Sequence, residues 1–241
     1  MVENWRMTIW SNDPTDRWHG EARRLRATLN AISSSVLALY GQPLTWRSET
    51  MDADGWRDMD QLAAHLDSHQ LRDDVGKIMK GGGANGTVQG YLGDRLESMA
   101  NMQYGAGGEP TPFHCTVTFF ALEPELGARP INEHPVAWLV QLLAETAQAT
   151  GDNVSLARMQ TTRLPRLLTR TRPDADIGAL TLAPSTLDTA ALPASITVYP
   201  CPGWSDRVVL VANLNQVVND PESLVADLFA AEDAMNQAVP G

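Results

Sequence analysis

A chain of 241 residues, 43% apolar and 20% charged, is long enough for one large domain or two small ones and can hide roughly 70% of the surface its unfolded form exposes, which excludes intrinsic disorder. Its 29 acids outnumber its 18 Lys and Arg, for a net charge of −11; phosphates demand the opposite sign, so direct nucleic-acid binding is not expected, and the balance suits either a soluble protein or one whose partner is basic. No run approaches the ~18 uncharged apolar residues of a membrane span, Met1–Arg6 lacks the basic-then-apolar pattern of a secretory leader, and two cysteines, Cys115 and Cys201, are too few for a disulfide framework, so the expected location is the cytoplasm.

Trp5–Trp10 alternates bulky and polar residues and predicts a strand. Asp13-Pro14-Thr15-Asp16 reads as a helix start, with an Asp cap and Pro in the first turn. Trp18, Ala22, Leu25, Leu29, Ile32, Val36 and Leu39 then recur at steps of three and four, which places them on one face of a helix of about 25 residues. Gly41 and Pro43 end it. Leu44–Arg47 predicts a short strand, and Asp58–His69 a second helix opened by an Asp58/Gln61 capping box. Five glycines within residues 76–86 predict a loop. Strands follow at Thr87–Leu92 and Leu96–Tyr104, a turn at Gly105–Pro110, and the clearest strand at Cys115–Phe120.

In the second half, Asn132–Ala149 predicts a helix with Val136, Leu139, Val140, Leu143 and Ala147 inward. Strands are expected at Val154–Ala157, Ala179–Leu182, Ile196–Tyr199 and Arg207–Val211, and Asp220-Pro221-Glu222 caps a terminal helix. Long helices separating groups of strands point to the α+β class, a mainly antiparallel sheet with helices packed on it. The whole chain reads as a single unit whose only plausible subdivision is the proline-punctuated stretch 165–195. The expected core includes Trp18, Leu25, Leu29, Ile32, Val36, Val117, Phe119, Leu139, Leu143 and Val209.

Motifs that carry chemistry are scarce. Gly81, Gly83 and Gly86 match the count of a dinucleotide fingerprint, but the strand before and helix after that its mechanism needs are not indicated. His65 and His69 stand four apart on the second helix; they lack the Glu of a zinc peptidase and a spaced third ligand. His114 and Cys115, neighbours in a strand, point to opposite faces. Cys201 sits in a turn with nothing to lower its pKa. No cofactor, metal or catalytic constellation is therefore expected.

Two charged segments remain. Between residues 49 and 60, Glu49, Asp52, Asp54, Asp58 and Asp60 stand against a single Arg57, with Trp56 among them. One reading is a solvated loop and helix cap, with Trp56 folded back as a staple; the other is a docking patch in which the acids steer a basic partner and Trp56 anchors it. From Arg158 to Arg172 there are five arginines and no acid, which reads as a surface loop paired with acids elsewhere in the fold.

The order of these elements resembles the immunity protein 52 family, antitoxins of bacterial polymorphic toxin systems. The likeness runs from the Trp5–Trp10 strand and the helix carrying Leu25, Leu29 and Leu39, through the glycine-rich middle and the strand Ser98–Tyr104. It continues through Asn153–Ala157, Gly178–Leu182, Leu192-Pro193, Val208–Val211 and Asn219-Asp220-Pro221 to the terminal helix. Gly90–Arg95 stands where the family has a tryptophan–asparagine pair. The resemblance implies a cytoplasmic, non-enzymatic protein. Its partner would be a cognate toxin or effector, typically a nuclease of the restriction-endonuclease fold delivered by type VI or related secretion. It carries over no catalytic residue. A cofactor-independent hydrolase using His114, Cys201 or an Asp pair, and an adaptor of secretion machinery, are the alternatives.

Overall fold

The computed structural model describes residues 4–13, 15, 18–79, 82–93, 95–108, 113–120 and 130–238. The fold is α+β. Nine strands, β1 (Trp5–Ser11), β2 (Leu44–Arg47), β3 (Gly82–Leu92), β4 (Ser98–Gly108), β5 (Phe113–Phe119), β6 (Val154–Thr161), β7 (Leu180–Pro184), β8 (Ile196–Pro200) and β9 (Arg207–Ala212), follow the sheet order β2-β3-β4-β5-β1-β6-β7-β9-β8. The pairings β2/β3, β3/β4, β4/β5, β6/β7, β7/β9 and β8/β9 are antiparallel. Among the described residues there are six α-helices: α1 (Trp18–Tyr40), α2 (Met59–Ser68), α3 (Val136–Thr150), α4 (Leu164–Thr171), α5 (Leu214–Asn219) and α6 (Val225–Ala238).

Contacts divide the chain into two units, one of residues 8–119 and 145–156, the other of residues 1–7, 120–144 and 157–241. In the first, the stripe expected on α1 is the buried one: Ala22, Leu25, Leu29, Ile32 and Val36 are all at most 2% exposed, while Trp18 is only half-buried. The proposed cap residues Pro14 and Asp16 lie outside the described residues. Trp46 on β2 ties the strand to α1 by donating its indole N–H to the Leu29 carbonyl (3.2 Å) and to Ser33 Oγ (2.9 Å).

Two glycine-based expectations are corrected by the strands. The predicted loop 76–86 becomes strand from Gly82, and the predicted turn at 105–110 is strand as far as Gly108. The cause is cross-strand packing. Gly86 pairs with Tyr104, and a Cβ there would lie 2.3 Å from Tyr104 Oη; Gly105 pairs with His114, and a Cβ there would lie 2.1 Å from the imidazole. These glycines make room for rings from the neighbouring strand, as Gly can where side chains approach closely.

In the second unit, β7 is buried along nearly its whole length, and Val209, Leu210 and Val211 of β9 pack beside it. The first turn of the helix expected from Asn132 is instead a separate 3₁₀ turn, Ile131–Glu133, and α3 starts at Val136 after Pro135. Likewise Pro221–Leu224 forms a 3₁₀ turn before α6. Helix α4 corrects the surface-loop reading of the arginine stretch: Leu164 and Leu168, one turn apart, bury its inner face despite Pro165 in the first turn. Its arginines do pair with distant acids. Arg163 reaches Glu222 at 3.3 Å, and Arg172 meets both Glu232 and Asp233 at 2.8 Å. The stretch 165–195 lies wholly inside this unit.

Candidate protein-interaction site

The acidic segment forms the loop between β2 and α2, and its backbone is set by its own carboxylates. Asp52 Oδ1 accepts from the amides of Asp54 (3.1 Å) and Gly55 (2.9 Å), an Asx turn. Asp58 caps α2, its Oδ1 accepting from the amides of Asp60 (2.9 Å) and Gln61 (3.0 Å), while Gln61 Nε2 donates to Asp58 Oδ2 at 3.3 Å. The hydrogen bond from the Gln61 amide does most to hold the Asp58 carboxyl below its ordinary range. Asp54 pairs with Arg57 at 3.5 Å, and Asp60 lies 3.4 Å from His19 Nε2. All five carboxylates, Glu49, Asp52, Asp54, Asp58 and Asp60, are exposed.

Trp56 is not with them. Of the two readings of Trp56, its burial agrees with the folded-back one and not with an anchor displayed to solvent: the indole is 4% exposed and meets the rings of His65 (5.6 Å) and Tyr104 (6.4 Å) edge-on. Its ring fills the space beneath the loop, where burial of a large apolar surface outweighs display to solvent. Tyr104 arrives from β4, far along the chain, and no local pattern announces it. Burial pushes the Tyr104 phenol up to about 12.

The two histidines of α2 stack with ring centroids 4.0 Å apart. His65 Nε2 lies 3.2 Å from Tyr104 Oη, and His69 Nδ1 lies 2.9 Å from the His65 carbonyl. Desolvation, with the neighbouring His69 adding to it, lowers His65 to about 4. Both rings line an open cleft of about 530 Å³ whose other wall carries Thr50, Met51 and Asp52. Among the described residues no group of three His, Cys, Asp or Glu side chains is arranged to hold a metal ion. Gly81 of the fingerprint-like run lies outside the described residues, and the chain from Gly82 onward is strand, not the helix that a pyrophosphate site requires. Cys115 is fully buried and its thiol is pushed up to about 12; Cys201 is buried and pushed up to about 11. Neither is an activated thiolate.

No helix among the described residues is long and apolar enough to cross a membrane. No protein-family model matches the chain, and no curated protein matches it significantly; the resemblance to the immunity protein 52 family thus has no support from either comparison. A solved structure of a Pseudomonas aeruginosa T6SS protein aligns with 98% of this chain and 73% of its own, at 13% sequence identity and a TM-score of 0.48.

Proposed function

We propose that this chain is an immunity protein that binds a cognate toxin, a DNase of the restriction-endonuclease fold, in the cytoplasm and blocks it by a stoichiometric, non-covalent complex without catalysis. The order of elements in the sequence motivates the reading. The observation that carries it is the loop at residues 49–60. Five carboxylates stand exposed within twelve residues, on a backbone that two of them, Asp52 and Asp58, hold in place. A nuclease that grips DNA presents a positive cleft, and such a field raises the association rate of an acidic partner.

The structural roles of Asp52 and Asp58 decide which residues test the reading. Reversing those two disturbs the turn and the helix cap, a cost of about 0.5–2 kcal/mol for a cap. The carboxylates of Glu49 and Asp54, unlike the Asp54 carbonyl, accept no backbone amide among the described contacts. Their reversal, E49K with D54K, leaves stability within about 0.5 kcal/mol per site. Stopped-flow mixing with the proposed cognate nuclease should then show slower association and a shallower salt dependence. An unchanged association rate excludes this loop from the contact.

A further inference from the structure

Beside the acidic loop lies a notch of about 190 Å³ with the opposite character, formed by α1, β2 with the preceding Pro43, and Ala53, Trp56 and Arg57. In a chain with eleven more acids than Lys and Arg, the eleven residues lining it include Arg26 and Arg57 and no Asp or Glu. Its walls include Leu29, Leu44 and Trp46, each at most 7% exposed.

The hydrogen-bonding groups of the notch are unevenly committed. The Trp46 indole N–H is taken by Leu29 O and Ser33 Oγ, and the Ser33 hydroxyl donates to Leu44 O. Arg26 has no acid partner among the described residues. Arg57 has only the exposed Asp54, at 3.5 Å with both side chains at least 75% exposed, a kind of pair that contributes little and that a better-placed anion displaces. Trp56, which also lines the notch, carries a buried indole N–H without a hydrogen-bond partner. The committed groups are thus internal, and the charged groups left to meet a ligand are both cationic, beside the neutral Asn30 and Thr45.

Size narrows the ligand. The notch holds roughly six water volumes and falls well below the roughly 300–1,000 Å³ of pockets for drug-sized molecules. Two guanidinium groups match the planar fork of a carboxylate, and the Leu44–Trp46 wall favours an apolar body attached to it. From this we infer that the notch is a binding site for a single carboxylate carried on a small apolar group. The carrier is either a free aromatic or aliphatic acid or an acidic side chain of a bound polypeptide. The site stands whether or not the partner is a toxin.

The test is a titration of the ¹⁵N-labelled full chain followed by NMR, with the Trp56 indole N–H peak assigned by its loss in Trp56→Phe. Sodium benzoate should move that peak saturably, and benzamide, which has the same ring without the charge, should not. Arg26→Gln should weaken the benzoate response at least tenfold while leaving the ligand-free spectrum intact elsewhere. Acetyl-glutamyl-amide, titrated in parallel, separates the two carriers: tighter binding than benzoate identifies a polypeptide side chain, weaker binding a free acid. Calorimetry on Arg26→Gln repeats the comparison without relying on the Trp56 peak. An equal response to benzamide, stronger binding of inorganic phosphate than of benzoate, or an unchanged affinity in Arg26→Gln overturns the assignment.

Discussion

Trp56→Ala separates a buried tryptophan from a displayed one, and its cost can be worked from the structure. A buried Trp hides roughly 150–250 Å², which at about 25 cal/mol per Å² amounts to ~4–6 kcal/mol. Edge-on contacts with His65 and Tyr104 add to this, at about 0.5–1.5 kcal/mol for such a pair. Against it, the indole N–H is buried without a partner, and its removal recovers about 1–3 kcal/mol. The net loss is about 3–5 kcal/mol, the range found for Trp truncation in cores. Trp56→Phe keeps most of the ring and discards the orphaned donor, so it should fall within about 1.5 kcal/mol of the wild type. Urea denaturation followed by far-UV circular dichroism measures both. If Trp56→Ala costs less than about 1 kcal/mol and instead speeds dissociation of the toxin complex, the indole faces solvent and its packing beneath the loop is wrong.

Two further perturbations act on the same cluster. Gly86→Ala places a methyl group against Tyr104 and should cost about 1–3 kcal/mol by overpacking. Because Tyr104 supports His65, the His65 pKa measured by NMR should rise toward its ordinary value in that variant, and an unmoved His65 would show the two to be uncoupled. The second perturbation is pH. His65 titrates near 4 in the fold and near 6.5 when unfolded. The unfolded chain therefore takes up the proton first. Stability is whole above pH 6.5 and falls as the pH drops toward 4, by at most about 1.4 kcal/mol per unit. His114, also lowered by burial, adds a slope of the same sign. His65→Gln should flatten the pH dependence of urea stability between 6.5 and 5 without abolishing it; an unaltered slope contradicts the burial of His65.

What the sequence disclosed depended on the range of the interaction. The α1 stripe was legible because Leu25, Leu29, Ile32 and Val36 lie on one face by helical geometry alone, and all four are buried. The Asp58 cap was legible for the same reason, since donor and acceptor are three residues apart. Gly86 and Gly105 misled because glycine marks a turn locally, whereas in this sheet it accommodates Tyr104 and His114 from adjacent strands. Helix α4 was hidden by Pro165 and its arginines, and only two leucines mark its inner face. At the candidate site the acids were placed correctly as an exposed segment. The fate of Trp56 depended on Tyr104, and the cationic notch on residues from three separate segments, neither of which periodicity reveals.

The central claim is that the chain neutralises a toxin by occupying it. The most direct measurement is a titration of the DNA-cleaving activity of the proposed cognate toxin with the purified chain, followed by recovery of both proteins for mass spectrometry. The account predicts a linear loss of activity ending at a fixed molar ratio, a dissociation constant on the order of nanomolar or tighter, and unchanged masses. Complete inactivation at a small fraction of one equivalent, or full nuclease activity in excess chain, would contradict it.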